Sequence, residues 1–447
     1  MPEFLTLLPP DEAREKLFSH LPGPQPAPEL IDVSASLGRV TVEDITAPHP
    51  LPDFRRSTVD GFAVRAKDTY GASDSLPAYL MLAGEVPMGD SPKSALELGG
   101  CMTIHTGGML PEGADAVVML EYTQTVGAGS PSPMGSSRPN SEIEIFKSVA
   151  EGENVIAIGE DVAQGQVVQP KGSLMRPAEI GGLMALGITQ LRVARKVRVG
   201  LISSGDEVIP PEKTPRPGQV RDINSHTLAA LVTGAGGESV LYGIVGDTFE
   251  ALRKTAAKAL TECDVVVITA GSSASTRDMT ADVIATLGRP GVLVHGINTR
   301  PGKPTILGVC DGKAVIGLPG NPVSALVNGY MLVVPLIEHL LGQTPRPKAT
   351  VQAKLTVNLP SQSGREDWWP VKLKIVTAEN AESAEKKEKS SAVSAHSAVN
   401  ETKRWLAEPI FGKSNLIFTL AAADGLLRIP PDATGLSTGD MVVVMLI

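Results

Sequence analysis

The chain has 447 residues, a formal net charge of −9, 42% hydrophobic and 20% charged residues, and a length that suggests on the order of three domains. An aromatic share of 4% and the acidic balance disfavour a nucleic-acid partner, whose phosphates and bases need a basic stripe and stacking rings. Cys101, Cys263 and Cys310 are odd in number and far apart, so neither a disulfide framework nor a CxxC metal site is expected and a reducing, cytoplasmic setting follows.

The first residues lack the basic start and apolar core of a secretory signal, and no apolar stretch is expected to approach the ~20 residues of a membrane span. Residues 9–20 read as a short helix with proline at its start and acids in its first turn. A proline-rich connector at 21–28 leads into a predicted helix and strand through Ile45. From 48 to about 150 the runs at 78–83, 102–105, 116–120 and 143–146 are short and broken by Gly, Pro and Asp, as in a small β-rich domain. Residues 127–140 are Gly/Ser/Pro-rich and read as a hairpin tip. Residues 177–186 form a predicted helix stopped by Gly187.

Residues 196–343 alternate strands and helices. Strands are predicted at 197–202, 239–245, 264–269 and, as a pair, 292–297 and 314–318, with helices at 225–234, 248–260, 278–287 and 322–341. That order implies right-handed crossovers and a mostly parallel sheet. Beyond Gly342, strands are predicted at 350–357, 369–375, 416–420, 426–429 and 441–446, a small barrel or sandwich. Residues 378–402 lack an apolar stripe and read as a solvated loop.

Three of the α/β strands run into small-residue loops, and ligands of open α/β sheets collect outside the carboxyl ends of strands, near helix N-termini. Ser203-Ser204-Gly205-Asp206-Glu207 reads first as a glycine turn with capping acids, and second as a loop that puts Glu207 into a crevice. Small residues at 269–275, including Gly271, Ser272 and Ser273, let a phosphate approach the backbone. Asp278 after them is an N-cap or, with a divalent cation between, a partner of that phosphate. Asp247 is an N-cap by default, yet Glu207, Asp247 and Asp278 together exceed what capping needs. In Arg300-Pro301-Gly302-Lys303-Pro304 the prolines stiffen a turn that offers two cations. Pro319-Gly320-Asn321-Pro322 opens the longest helix with Asn321 as predicted N-cap, and Ser324 adds a hydroxyl. The histidines are scattered and no Ser/His/Asp arrangement exists, which argues against acyl-transfer chemistry and a histidine-rich metal site.

Seven motifs occur in one order: STVDGFA at 57–63, TGGMLPEGADAVVMLE at 106–121, GEDV at 159–162, SSGDEV at 203–208, RDIN at 221–224, RPGKP at 300–304 and GLPGNPVSAL at 317–326. In these the chain resembles the molybdopterin molybdenumtransferases (the MoeA and gephyrin E-domain family) over nearly its whole length. The resemblance implies an α/β and β multidomain fold, an elongated four-domain chain with a MogA-like α/β domain and a C-terminal β-barrel. The implied boundaries are 1–47 plus 151–195 for a split first domain, 48–150 for the inserted β-rich second, 196–343 for the α/β third and 344–447 for the barrel. It also implies a homodimer whose active sites join the α/β domain of one subunit to the second domain of its partner.

The implied activity is insertion of molybdate into adenylylated molybdopterin with release of AMP, assisted by Mg²⁺ or a similar cation. The resemblance carries catalytic roles onto Asp60, Glu207, Asp247 and Asp278, the last three also as metal ligands. It carries substrate binding onto Ser57, Thr106 and Asp161, onto Gly205 and Asp206, and onto Gly271, Ser272 and Ser273. The same role falls on Arg300, Pro301, Gly302 and Lys303, and on Pro319, Gly320, Asn321, Pro322 and Ser324. Arg300, Lys303 and Ser324 are the expected molybdate and phosphate contacts. The loop at 269–275 departs from the glycine-rich family pattern, and Thr58-Val59 replace the commoner Ala-Met. Implied partners are the molybdopterin adenylyltransferase and apo-molybdoenzymes, with neither nucleic acid nor membrane. The competing readings are adenylyl transfer to molybdopterin, a tungstate-using paralogue, and a non-catalytic gephyrin-like scaffold.

Overall fold

The computed structural model describes residues 7–126, 141–270, 274–375 and 405–447, with the side chains of 274–278 left aside. The loop at 127–140, the residues Gly271, Ser272 and Ser273 and the whole 378–402 segment therefore lie outside the described residues, as does the side chain of Asp278. The chain divides into two compact units, one of Leu30–Leu37 with Glu43–Leu191, the other of the remaining residues.

The larger unit opens on α1 (Pro10–Ser19), started by proline and by Asp11 and Glu12 in its first turn. The smaller unit is built on a six-stranded mixed sheet: β1 (Gly61–Val64), β2 (Ala78–Glu85), β3 (Gly100–Ile104), β4 (Ala116–Met119), β5 (Thr123–Thr125) and β6 (Glu142–Ile145), in the order β4-β1-β3-β2-β6-β5. Phe62, Leu80, Leu82, Val118, Ile143 and Ile145 form its core. Gly61 is obligatory, because a Cβ there would lie 1.9 Å from the Val118 carbonyl oxygen. Helix α2 (Pro177–Ala185) is the one predicted from the sequence. The helix expected between the proline-rich connector and Ile45 is instead a single 3-10 turn, Val33–Ala35. The Ser36 hydroxyl closes it on the Val33 carbonyl at 2.7 Å, and Gly38 at φ +73° turns the chain away.

The rest of the larger unit begins with β7 (Arg198–Ser204), α3 (Asn224–Gly234), β8 (Glu238–Val245), α4 (Phe249–Glu262), β9 (Val265–Ala270) and α5 (Ala274–Leu287). Then come β10 (Pro290–His295), the short β11 (Thr299–Arg300), β12 (Ile306–Cys310) and β13 (Lys313–Pro319). The α/β sheet runs β8-β7-β9-β13-β12-β10, parallel through its first four strands. All of β9 is buried, as expected of a parallel strand covered on both faces. Ile202, Ile268, Ile284, Ile306 and Val315 are at most 2% exposed, and each such side chain contributes about 1.5–3 kcal/mol by leaving water.

Two expectations change here. The predicted strands near 292–297 and 314–318 do not pair: β12 lies between them, antiparallel to both. Helix α5 starts at Ala274, so Asp278 sits inside it and not at its N-cap.

The longest helical run, α6 (Pro322–Asn328), a π turn (Gly329–Val333) and α7 (Val334–Leu340), is interrupted once. Among the described residues this 19-residue run is the one helix long and apolar enough to cross a membrane, contrary to the sequence expectation. Its window is 61% buried, as in a core helix, because it packs beneath the sheet.

The C-terminal strands β14 (Thr350–Leu355), β15 (Glu366–Ile375), β16 (Trp405–Pro409), β17 (Gly425–Ile429) and β18 (Met441–Leu446) close into a five-stranded barrel, with β11 added beside β15. Leu355, Val371, Leu427 and Val444 fill it. The strand predicted at 416–420 is a short helix, α8 (Ile417–Ala421). Its apolar residues are not buried in alternation: Phe418 is 83% exposed, and the Thr419 hydroxyl turns back to the Leu416 carbonyl at 2.7 Å.

Candidate functional site

The carboxyl ends of β7 and β9 border a cavity of ≈ 560 Å³ lined by Ser203, Ser204, Glu207, Asp222, Asn224, Thr269, Gly320 and Asn321, among others. Two adjacent serines reach two different carboxylates. Ser203 Oγ donates to Asp222 Oδ2 at 2.8 Å, and Ser204 Oγ donates to Asp247 Oδ1 at 2.7 Å. Asp222 is 6% exposed and also accepts from the Ser225 hydroxyl at 2.6 Å, which anchors the start of α3. Asp206 Oδ1 accepts from the Asp247 backbone N–H at 3.1 Å, so the two acid-bearing loops hold one another. Gly205, at φ +151°, is closely covered: a Cβ there would stand 2.7 Å from Glu207 Oε2. Glu207 is exposed and Asp247 half-buried. Asn224 donates to the Gly320 carbonyl at 2.9 Å, while its buried Oδ1 has no protein partner. A buried acceptor left open in a cavity wall is a place for a ligand donor.

A second cavity of ≈ 690 Å³ is lined by the Arg300–Pro304 turn, Pro319, Asn321, Ser324, Arg365, Trp368, Trp369, Lys413, Ser414 and Asn415, among others. Four cations, Arg300, Lys303, Arg365 and Lys413, face it, with no carboxylate in the lining among the described residues. Arg300 stands over the Trp369 ring at 5.5 Å, which orients the guanidinium without neutralising it. Behind them Asp367, 1% exposed, binds Arg365 through Nε at 2.7 Å and lies 3.9 Å from Arg300 Nη1. Asn321 and Asn415 line both cavities and form a shared wall.

The start of α6 differs from the sequence expectation. The Asn321 side chain makes no cap. Pro322 has no N–H, and the Val323 N–H is taken by the Ser414 carbonyl at 3.0 Å, so the barrel loop docks where free donors were expected. Ser324, 4% exposed, keeps its place in the cavity lining.

In the smaller unit, Asp60 Oδ1 accepts from the Thr106 N–H at 2.8 Å and lies 3.3 Å from its hydroxyl. His105 bridges two acids, with Nδ1 3.7 Å from Asp60 and Nε2 3.3 Å from Glu85. Ser57 is 1% exposed and its hydroxyl donates to the Val59 carbonyl at 2.6 Å, so it shapes the Asp60 turn and does not face solvent. Asp161 lines another cavity, of ≈ 340 Å³, with Leu51 and Glu179.

Sequence reasoning singled out none of Arg365, Trp369, Lys413, Ser414, Asn415, Asp222 or Asn224. Asp222 and Asn224 lay in the RDIN motif, and the turns GRED at 364–367 and GKSN at 412–415 were the available signals for the others. Burial disfavours the thiolate of the buried cysteines, pushing Cys101 up to about 12 and Cys310 to about 11.

Among the described residues no three His, Cys, Asp or Glu side chains converge in a metal-binding group. The donor set nevertheless suits Mg²⁺, which takes one or two carboxylates and fills its remaining positions with water and substrate phosphate. Ser204 engages only Oδ1 of Asp247, and Glu207 faces the cavity.

An open, mainly parallel sheet with an acid-bearing crevice, beside a cationic cavity completed by a β-barrel, defines a multidomain α/β and β protein suited to phosphate and oxyanion ligands. Residues 8–187 match the MoeA N-terminal region (domain I and II), residues 200–339 a probable molybdopterin binding domain, and residues 394–447 the MoeA C-terminal region (domain IV). A putative molybdopterin biosynthesis protein of Methanocaldococcus jannaschii is 33% identical over 97% of this chain and 95% of its own. A molybdopterin molybdenumtransferase of Haemophilus influenzae is 34% identical over 80% of this chain and 84% of its own. A solved molybdopterin biosynthesis MoeA protein from Pyrococcus horikoshii OT3 superposes with a TM-score of 0.79 at 29% identity, covering 99% of this chain and 100% of that one. The chain belongs to the MoeA family.

Proposed function

We propose that this chain is a molybdopterin molybdenumtransferase that inserts molybdate into adenylylated molybdopterin and releases AMP. The observation that carries the reading is the pair of adjoining cavities, one acid-bearing at the strand ends and one cationic, with Asn321 and Asn415 between them. A phosphoanhydride joined to an organic dithiolate, together with a tetrahedral dianion, is a ligand pair that needs these two environments side by side.

In the cationic cavity Arg300, Lys303 and Arg365 bind and orient the dianion, with the Ser324 hydroxyl as a neutral donor. In the crevice the hydroxyls of Ser203 and Ser204 and the open Oδ1 of Asn224 orient the pterin nucleotide. Glu207, Asp247 and Asp278 would hold Mg²⁺, which when bound shields the phosphates from these acids and polarises the phosphoanhydride. Gly271, Ser272 and Ser273 cradle a phosphate. Water cleaves the phosphoanhydride, so one phosphate stays on the pterin and the other leaves with AMP. The dithiolene enters as two thiols; its two sulfurs bond to molybdenum and displace one oxygen of molybdate, which leaves as water with the two thiol protons.

The working unit is a homodimer in which Asp60 and Thr106 of one protomer serve the crevice of its partner, with Asp161 also binding substrate. It acts in the cytoplasm, receives substrate from the molybdopterin adenylyltransferase and supplies apo-molybdoenzymes. The sequence boundaries at 47, 150, 195 and 343 mark its four domains.

The test is incubation of the full chain with adenylylated molybdopterin, Mg²⁺ and molybdate, following AMP release and reconstitution of an apo-molybdoenzyme. Molybdate-dependent AMP release with reconstitution is expected. ATP-dependent adenylylation of free molybdopterin would replace this reading with adenylyl transfer. A preference for tungstate would identify the paralogue, and a dimer inactive in all arms that binds receptor peptide would identify a scaffold.

A further inference from the structure

The cationic turn at 300–304 is held from below by one residue. Gly302 is buried, at φ +102°, and a Cβ there would fall 2.2 Å from Asn328 Nδ2. Asn328 is fully buried at the end of α6, and its Nδ2 donates to the Gly302 carbonyl at 2.9 Å and to Thr305 Oγ1 at 2.5 Å. Thr305, also fully buried, donates its hydroxyl to the same Gly302 carbonyl at 2.8 Å. The Oδ1 of Asn328 has no partner among the described residues. An amide that uses its donor and leaves its acceptor orphaned is costly to bury, so packing alone does not account for it. Four residues before it on the same helix face stands Ser324, which lines the cationic cavity. One helix face therefore sets both a hydroxyl of the cavity and the depth of the turn that carries Arg300 and Lys303.

We infer that Asn328 is a positioning residue of the oxyanion site, setting the height of the Arg300–Lys303 turn and through it the affinity for a tetrahedral dianion. The inference rests on the reading that this cavity receives molybdate. Asn328 does not touch the anion; it acts through the backbone of Gly302.

The experiment uses the full chain, with molybdate and AMP affinities measured separately by calorimetry alongside the thermal midpoint. Asn328→Leu keeps the branched side-chain shape at a larger size, removes the donor and removes the orphaned acceptor. Its expected result is at least tenfold weaker molybdate binding, with AMP binding within twofold of wild type and the midpoint retained. Thr305→Val, which removes only one hydroxyl, is expected to weaken molybdate binding two- to fivefold, and it decides the matter if Asn328→Leu does not fold. Molybdate binding unchanged in the variants overturns the inference, as does a parallel loss of both affinities with the midpoint. Wild-type protein that binds AMP but neither molybdate nor tungstate overturns the reading of the cavity itself, and the inference with it.

Discussion

Asp367 holds Arg365 by two bonds, Nε to Oδ1 at 2.7 Å and Nη2 to Oδ2 at 3.2 Å, while the carboxylate is only 1% exposed. Ser361 adds a hydroxyl donor at 3.0 Å, so the buried charge is both paired and hydrogen-bonded. Breaking such a pair from one side leaves a guanidinium without its counter-charge. Asp367→Asn is expected to lower unfolding free energy by about 3 kcal/mol, read from urea denaturation. A change within about 0.5 kcal/mol would mean that solvent already screens this pair.

Arg300 and Lys303 are exposed at the cavity rim, so each is replaceable without loss of the fold. Arg300→Ala and Lys303→Ala are each expected to weaken molybdate binding about 10–100-fold, the worth of a charge-assisted hydrogen bond. AMP affinity should stay near wild type, and the molybdate effect should shrink as salt is raised. Loss of AMP binding with molybdate binding intact would reverse the assignment of the two cavities.

Ser204 fixes one oxygen of Asp247, and among the described residues no hydrogen bond reaches the other. If Asp247 is a Mg²⁺ ligand, Ser204→Ala removes its outer support, and activity at limiting Mg²⁺ is expected to fall about 10–100-fold. Excess Mg²⁺ should recover most of it, whereas Asp247→Asn should not be rescued. An unaltered Mg²⁺ dependence in Ser204→Ala would remove Asp247 from the metal site.

His339 stacks on Phe18 at 4.6 Å, and burial holds its imidazole below the ordinary 6.5. Because the folded protein binds this proton less readily than the unfolded chain, acid favours unfolding. The stabilisation from keeping His339 neutral is present above pH 6.5 and is lost as pH falls from there through the lowered folded value. His339→Phe preserves the stack and removes the titration. Urea unfolding at about pH 7.5 and 5.5 should show a smaller acid loss in the variant than in wild type; equal losses would assign the acid sensitivity to other groups.

Local pattern revealed the elements whose environment is uniform along their length. Strand β9 reads as a continuous apolar run because both faces are covered, and α4 reads as a helix because its burial follows one stripe. The run at 416–420 misled because Leu416 and Phe418 face solvent while Leu420 is buried, a situation periodicity cannot distinguish from a half-buried strand. Strand β12 escaped notice because it is a short apolar segment following the proline-rich turn, and its antiparallel pairing depends on both neighbours.

What the amino-acid order determined by itself was the alternation of strand and helix and the small-residue turns that leave room at the strand ends, since both follow from spacings of a few residues. The tertiary structure alone decided which side chains share the cationic cavity. Arg300 pairs in register with Asp367, 67 positions away in the chain, and that pairing brings Arg365 and Trp369 beside it. No short-range periodicity encodes such a register. It arises when the barrel closes and β11 finds its edge, so the site's cations meet only once distant strands have already packed.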